Sequence, residues 1–295
     1  MTEPKLNRCG YAALLGRPNV GKSTLVNQLI GQKVSIVTRK PQTTRNRVLG
    51  ILSDPGYQLI LLDTPGVINP NYGLQRTMMR TVTSAVRDAD VVLFLADATF
   101  DTPDTLSLEY AGGKPVILVL NKMDKIAKEN ALPLVEEYQK LREFVDVVPV
   151  SALKGRNVDA LLKVIIQHLP EGPSLYPEEM ISEHPERFFV SEIIREKIFE
   201  KYRQEVPYAT QVNIVSYDER EGEKDVIEAE IVVERDSQKG ILIGKGGLAL
   251  KAVGVAARVD IEEFLQRPVY LRLFVKVRDD WRNKDTFLKS YGFTD

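Results

Sequence analysis

The sequence predicts an α/β domain, a mostly parallel sheet with helices on both faces, followed by a smaller α+β domain. Three observations carry this. Short runs rich in Val, Ile and Leu alternate with helical patterns through the first part of the chain. Four prolines, Pro170, Pro173, Pro177 and Pro185, then crowd one span. Beyond them the order becomes helix, two strands, two helices, strand. A chain of 295 residues has room for two such cores. The boundaries read from the sequence are 1–172 for the first domain, 173–185 for a Pro-rich linker and 186–295 for the second.

The runs "YAALLG", "YQLILLD", "DVVLFLAD", "PVILVLNK" and "VDVVPVSA" read as strands buried on both faces. Between them, 23–30 places Leu25, Val26, Leu29 and Ile30 on one helical face, and 158–168 does the same with Leu161, Leu162, Ile165 and Ile166. This alternation is the mark of a doubly wound fold. Proline removes a backbone donor and disfavours helix in the residue before it, so 173–185 reads as a linker. A helical pattern over about 188–204 leads into "QVNIVSY" and "VIEAEIVVE". A glycine loop, a helical pattern over 248–265 and the strand "VYLRLFVKV" follow. There is no internal repeat.

Composition is ordinary, with 43% hydrophobic and 27% charged residues and a formal net charge of -1. With no overall basic excess, any nucleic-acid site must rest on local features. The single cysteine, Cys9, excludes an intrachain disulfide and suits a reducing cytosol, where it reads as a packed strand thiol. The start "MTEPKLNRCG" lacks the apolar stretch of a signal peptide, and no apolar run approaches the roughly 20 residues that span a bilayer. A soluble, cytoplasmic protein is expected.

"GRPNVGKST" (16–24) satisfies the phosphate-loop pattern through Gly16, Gly21, Lys22 and Ser23, and it follows a strand and opens a helix as that pattern requires. Backbone N–H groups and the helix N-terminus would face phosphates, Lys22 would reach the β and γ oxygens, and Ser23 would bind Mg²⁺. "LLDTPG" (61–66) ends a second strand with Asp63, placed to hold Mg²⁺ through water, and with Gly66, whose N–H can approach a γ-phosphate. "NKMD" (121–124) offers Asp124 to the N1 and N2 groups of guanine, Asn121 to the purine edge and the stem of Lys122 to the ring. "SAL" (151–153) offers the Ala152 N–H to guanine O6. Together these specify GTP over ATP. The expected nucleotide site comprises Gly16, Arg17, Pro18, Asn19, Val20, Gly21, Lys22, Ser23, Thr24, Asp63, Thr64, Pro65, Gly66, Val67, Asn121, Lys122, Asp124, Ser151, Ala152 and Leu153.

For hydrolysis, "KPQTTRN" (40–46) lies where a switch loop belongs, with Thr44 the candidate second hydroxyl for Mg²⁺ and Thr43 the alternative. Val67 stands where Ras-like proteins carry the glutamine that orients water. A valine cannot do this, so slow turnover and another source of transition-state charge are expected. Asn19 could supply an oxygen to a K⁺ ion near the phosphates. Lys22, Asn19, Thr44 and Gly66 are the expected catalytic set, and Ser23, Thr44 and Asp63 the expected metal set.

"GILIGKGGLALK" (240–251) misses the phosphate-loop spacing but fits G-x-x-G at Gly244, Lys245, Gly246 and Gly247. In a KH domain such a loop joins two helices and clamps the backbone of about four nucleotides. From Glu178 onward there are 19 Lys and Arg against 24 Asp and Glu, whereas from Arg235 onward 12 face 8. A local basic face is thus available for RNA. Lys239, Ile243, Lys251, Arg272 and Lys276 complete the expected RNA-binding set, the last two sharing a strand face with Tyr270 and Phe274 as a groove wall.

"GRPNVGKSTLVNQLIGQKVSIVT", "RKPQTTR", "DTPG", "NKMD", "PEGPSLYP" and "ERFFVSEIIREKIFEKYRQEVPYA" together resemble the Era family of bacterial GTPases, and the likeness runs to the closing "VKVRDDWRNK". The resemblance implies a P-loop GTPase domain followed by a type II KH domain. It also implies GTP/GDP and Mg²⁺ as ligands, binding to the 3′ end of 16S rRNA, and a role in assembly and maturation of the 30S ribosomal subunit. Peripheral association with the cytoplasmic membrane, slow hydrolysis stimulated by RNA, and a monomer belong to the same expectation. The rival is a membrane-associated GTP-dependent switch with no RNA role.

Overall fold

The computed structural model describes residues 7–38, 40–220 and 222–293. The reading of the first six residues, and Arg39 of the "RKPQTTR" segment, lie outside them. The described chain divides into two compact units: Met1–Pro70 with Met78–Glu183, and Asn71–Thr77 with His184–Asp295.

In the first unit the apolar runs are strands because both of their faces are covered. In chain order the elements are β1 (Arg8–Leu15), α1 (Lys22–Ile30), β2 (Val48–Asp54), β3 (Tyr57–Asp63), α2 (Gly73–Asp88), β4 (Val91–Asp97), α3 (Thr105–Glu109), β5 (Val116–Asn121), α4 (Ala131–Leu141), β6 (Asp146–Pro149) and α5 (Val158–Gln167). The sheet order is β2-β3-β1-β4-β5-β6, with β1 parallel to both β3 and β4, β4 to β5 and β5 to β6. Leu59 to Leu62 and Val91 to Leu95 are fully buried, the condition of strands covered on both sides. β2, which the apolar runs did not reveal, pairs antiparallel with β3. A Cβ at Gly50 of β2 would lie 3.2 Å from Ile30 Cγ1, so glycine lets α1 pack close there. Cys9 is buried, and that burial raises its thiol pKa, as for a packed strand residue.

The Pro-rich stretch is not a free linker. Gln58 of β3 is 1% exposed, and its Oε1 accepts from the amides of Leu175 and Tyr176 at 2.8 and 2.9 Å. Its Nε2 donates to the Tyr176 carbonyl at 2.8 Å. Further along, the Ile51 amide donates to the Ile181 carbonyl at 2.8 Å, and Ser182 Oγ donates to the Leu49 carbonyl. The first unit therefore runs through Glu183.

The second unit contains α6 (Glu186–Lys201), β7 (Gln211–Asp218), β8 (Asp225–Val233), α7 (Asp236–Ile243), α8 (Leu248–Leu265), β9 (Val269–Val277) and α9 (Asp285–Ser290). β7 and β8 are antiparallel, and β8 and β9 parallel. On α8, Val253, Ala257, Ile261 and Leu265 recur every four residues and meet Ile194 and Ile198 of α6 and Ile227, Ala229 and Ile231 of β8 in one core. Each fully buried aliphatic side chain contributes roughly 1.5–3 kcal/mol. Asn71–Thr77 belongs to this unit because the Gly73 amide donates to Asn283 Oδ1 at 2.9 Å and the Leu74 amide to the Arg282 carbonyl at 2.7 Å.

Candidate functional site

The loops that carry the GTP-type motifs follow the carboxyl ends of β1, β3, β5 and β6, beside the point where β1 sits between β3 and β4. An open α/β sheet binds its ligand at such a switch point. The phosphate loop leaves β1 at Gly16 and enters α1 at Lys22. Gly16 has φ +146, and a Cβ there would meet the Leu95 carbonyl oxygen at 2.5 Å. Gly21 has φ +105, and a Cβ would meet Asn121 Nδ2 at 2.3 Å. Neither position admits a side chain. Lys22 is buried, with Nζ donating to the carbonyls of Gly16 and Arg17 at 2.9 and 3.0 Å. Burial lowers its pKa to about 8, against the upward pull of Asp63 and Asp104. Val20 is buried and Asn19 sits at φ +61.

Asp104, a residue missed in the sequence, braces this loop. It accepts from the Arg17 amide at 3.2 Å, pairs with Arg17 Nε at 3.4 Å, and caps α3 by accepting from the Ser107 amide. Its helix-capping spacing was the available signal.

Thr44 Oγ1 stands 2.9 Å from Ser23 Oγ, whereas Thr43 turns away to Thr38 Oγ1 at 2.7 Å and the Lys40 carbonyl at 2.8 Å. The geometry pairs Thr44, not Thr43, with Ser23. Asp63 is fully buried; burial raises its pKa, while Ser23, Lys22, Ser35 and Thr64 each act to lower it. Both of its carboxylate oxygens lack a hydrogen-bond partner. An ionised carboxylate does not stay in such a place without a counter-charge. One buried carboxylate beside two hydroxyls fits Mg²⁺, which takes few protein ligands and completes its shell with water and phosphate. Among the described residues no cluster of three His, Cys, Asp or Glu forms an alternative site.

Thr64, Pro65, Gly66 and Val67 follow. Thr64 Oγ1 donates to the Leu14 carbonyl, and the Val67 amide donates to the Gly16 carbonyl at 3.2 Å. A Cβ on Gly66 would lie 2.6 Å from the Cα and N of Pro18, so this turn rests directly on the phosphate loop. Val67 is buried and its side chain carries no polar atom for a water.

In the base-recognition loops Asn121 ties neighbouring loops to one another. Its Nδ2 donates to the Val20 carbonyl at 2.8 Å, and its Oδ1 accepts from the amides of Lys122 and Ala152 at 2.8 and 3.0 Å. The Ala152 N–H is thus engaged by Asn121 here, and the asparagine ties three loops together. Asp124 accepts from Ser151 Oγ at 2.6 Å, and that bond lowers its pKa, so it is ionised and shaped to accept from guanine. Lys122, at φ +66, pairs with Asp97 Oδ2 at 2.5 Å. Burial opposes ionisation of Asp97, but Lys122 and Thr99 outweigh it and hold the carboxyl below the usual range. Asp97, at the end of β4 in "FLAD", was legible as a strand-end carboxylate and went unread. Leu153 is 70% exposed and Thr24 half-buried.

The second unit carries the glycine loop between α7 and α8, in the expected place. α7 stops where the Gly244 amide donates back to the Gly240 carbonyl at 2.9 Å. Gly244, Gly246 and Gly247 have φ of +71, +58 and +77, and no atom lies within 4 Å of a Cβ built on Gly246 or Gly247. The turn is left-handed and open to close approach by a chain. Ile243 is half-buried behind it. From 237 to 259 the sequence has Lys239, Lys245, Lys251 and Arg258 and no acid. Arg258 was not among the residues singled out from the sequence. Arg272 and Lys276 differ: they pair with Glu228 at 2.9 Å and Glu230 at 3.0 Å. They share the exposed positions of β9 with Tyr270 and Phe274, while Leu271, Leu273 and Val275 pack on the core that holds α8. The structure therefore leaves Arg272 and Lys276 on the other face of the sheet, with their charge already met.

Comparison with known proteins agrees with both domains. A family described as "50S ribosome-binding GTPase" matches residues 11–122, and a KH domain family matches 205–282. The chloroplastic GTPase ERA1 of Zea mays is 53% identical over 97% of this chain and 71% of its own length. GTPase Era of Staphylococcus haemolyticus is 46% identical over 99% of this chain and 98% of its own. An Aquifex aeolicus Era variant crystallised with GDP and AlF4⁻ is 43% identical and superposes with a TM-score of 0.93, covering 98% of this chain and all of the other. A crystal structure of Era with MgGDPNP and nucleotides 1506–1542 of 16S ribosomal RNA, also 43% identical over 98% of this chain, gives 0.94. With the motifs, the folded site and near full-length identity in agreement, this chain belongs to the Era family of GTPases.

Proposed function

We propose that this GTPase binds the 3′ end of 16S rRNA through its KH unit and assists assembly and maturation of the 30S subunit, using GTP hydrolysis to release the RNA. The observation that carries the reading is a complete GTP site and a G-x-x-G clamp in one chain, in a family with a member solved on nucleotides 1506–1542 of that RNA. That RNA belongs to the small subunit, which favours 30S over the 50S of the domain family's description.

At the GTP site, Asp124 accepts from the guanine, the loop amides and Lys22 hold the phosphates, and Ser23, Thr44 and Asp63 would hold Mg²⁺, which neutralises phosphate charge when bound. Val67 cannot orient a water, so intrinsic turnover is slow. Asn19 supplies an oxygen to K⁺ beside the phosphates. Rates equal in K⁺ and Na⁺ buffers would remove that role. At the clamp, Gly244–Gly247 admit the RNA backbone, and Lys239, Lys245 and Lys251 supply charge.

Cross-linking and sequencing of RNA bound in the presence of a non-hydrolysable GTP analogue tests the whole reading: recovery of the 16S 3′ end supports it, and recovery of unrelated RNA overturns it. Substituting Gly246→Asp and Gly247→Asp should abolish binding. No atom crowds either position, but both sit at positive φ, where an L side chain is strained, so matched Gly246→Asn and Gly247→Asn substitutions separate the effect of the carboxylates from that of the backbone. A monomer in the cytoplasm, with peripheral contact to the membrane, completes the proposal. Among the described residues no single helix is long and apolar enough to cross a membrane. Fractionation of cell extracts checks the membrane contact.

A further inference from the structure

One loop outside the GTP-type motifs touches both halves of the site. Residues 97–104 join β4 to α3, and a buried carboxylate stands at each end. The two are used in the same way. Asp97 Oδ1 accepts from the amide and hydroxyl of Thr99 at 3.0 and 2.7 Å, while its Oδ2 reaches across to Lys122 Nζ at 2.5 Å. Asp104 Oδ1 accepts from the Ser107 amide at 3.2 Å, while its Oδ2 lies 3.2 Å from the Arg17 amide and 3.4 Å from Arg17 Nε. In each residue one oxygen shapes its own loop and the other grips a different loop. The local task needs no charge, because asparagine makes the same turn and the same helix cap. The distant task needs a second acceptor, and there a full negative charge meets a cation.

Both ends of the loop are anchored. The Ala98 amide donates to the Asn121 carbonyl at 2.9 Å, and the Asp104 amide donates to the hydroxyl of buried Tyr138 at 2.8 Å. The Arg17 guanidinium also lies over the Phe100 ring, 4.5 Å from its centre, so the loop holds Arg17 from two sides. Lys122 belongs to the base-recognition loop and Arg17 to the phosphate loop. We propose that Asp97 and Asp104 are positioning residues, and that 97–104 is a bracket with separate arms for the base and the phosphates of the nucleotide. The Asp97 arm sets the stem of Lys122 against the purine ring. The Asp104 arm sets the phosphate-loop backbone at Arg17 for the β-phosphate. This rests on the GTPase reading of the site.

The test uses the full chain and a fluorescent GDP analogue, displaced in turn by GDP, by GMP and by inorganic pyrophosphate. Asp97→Asn and Asp104→Asn keep each local bond and turn an amide NH2 toward Lys122 or Arg17. In Asp97→Asn, affinity for GDP and GMP should fall about tenfold, while that for pyrophosphate stays within about twofold of wild type. In Asp104→Asn, affinity for GDP and pyrophosphate should fall about tenfold, while that for GMP stays within about twofold. A carboxylate that serves only the fold would weaken all three ligands together, so equal losses overturn the proposal. Losses below about twofold throughout do the same. Asp97→Ser and Asp104→Ser also keep the turn and the cap but are too short to reach across, and they carry the same expectation should an asparagine variant fail to fold. If the wild-type chain binds GDP no better than ADP, it is the GTPase reading that falls.

Discussion

Replacing Asn121 by alanine separates a structural tie from a contact with the base. Asn121 is 2% exposed, and its amide holds the Val20 carbonyl and the Ala152 amide in buried hydrogen bonds, with the Lys122 amide in a partly buried one. Alanine leaves the first two groups orphaned where water does not reach, at about 1–3 kcal/mol each. The Lys122 amide can turn to solvent at little cost. The expected loss is roughly 2–5 kcal/mol in the first unit, which for a domain of this size lowers the unfolding temperature by roughly 5–15 °C. The assay is thermal and urea unfolding without nucleotide, followed by far-UV circular dichroism. The single tryptophan, Trp281, lies in the second unit and is fully buried, so its fluorescence is an internal control that should not move. Nucleotide affinity should fall with stability, because Val20 belongs to the phosphate loop. If GDP binding is lost while unfolding shifts by less than about 0.5 kcal/mol, the tie is wrong and Asn121 acts on the base.

Three further outcomes are expected. The Lys22 pKa, lowered by burial to about 8 from 10.5, makes the folded protein hold fewer protons than the unfolded chain between those values. Its contribution to stability without nucleotide therefore rises with pH across that window, while GDP affinity, which needs the charged lysine, falls about tenfold per unit above pH 8; a pH-independent Kd from 8 to 10 contradicts this. Asp124→Asn should cost about a hundredfold or more in GTP affinity and shift preference toward xanthosine triphosphate, whose O2 accepts from the new amide, as read by competition binding. Gly66→Ala should weaken GDP and GTP alike, because its Cβ would press on the Pro18 backbone; loss of GTP binding alone would show that only the γ-phosphate senses this position.

Most of the GTP site was legible because its residues sit at fixed offsets from strand ends, and strands buried on both faces announce themselves as continuous apolar runs. The 248–265 helix was legible to the residue, because glycine brackets one end and its apolar period is regular. β2 was not, since Gly50 interrupts its run, although "SDPGY" is a hairpin signal that marks the turn into β3. The Pro-rich stretch misled for a different reason. Proline reports that a segment is neither helix nor central strand, but not whether it is free, and the fastening comes from Gln58, more than a hundred residues away. Asn121 shows the same limit. Its motif gives its place, but two of its three partners, Val20 and Ala152, belong to loops that only the fold brings together.

That fastening also governs how the protein keeps to itself. β2 is the outermost strand of its sheet, and an outermost strand offers unpaired amides and carbonyls to any passing chain. Here Ile181 and Ser182 take up the Ile51 amide and the Leu49 carbonyl, so the segment leading to the second unit also blunts the sheet against intermolecular strand addition. A GTPase fragment ended at residue 172, where the sequence suggests the domain stops, would bare this strand and tend to aggregate. One ended at 183 would carry its own guard.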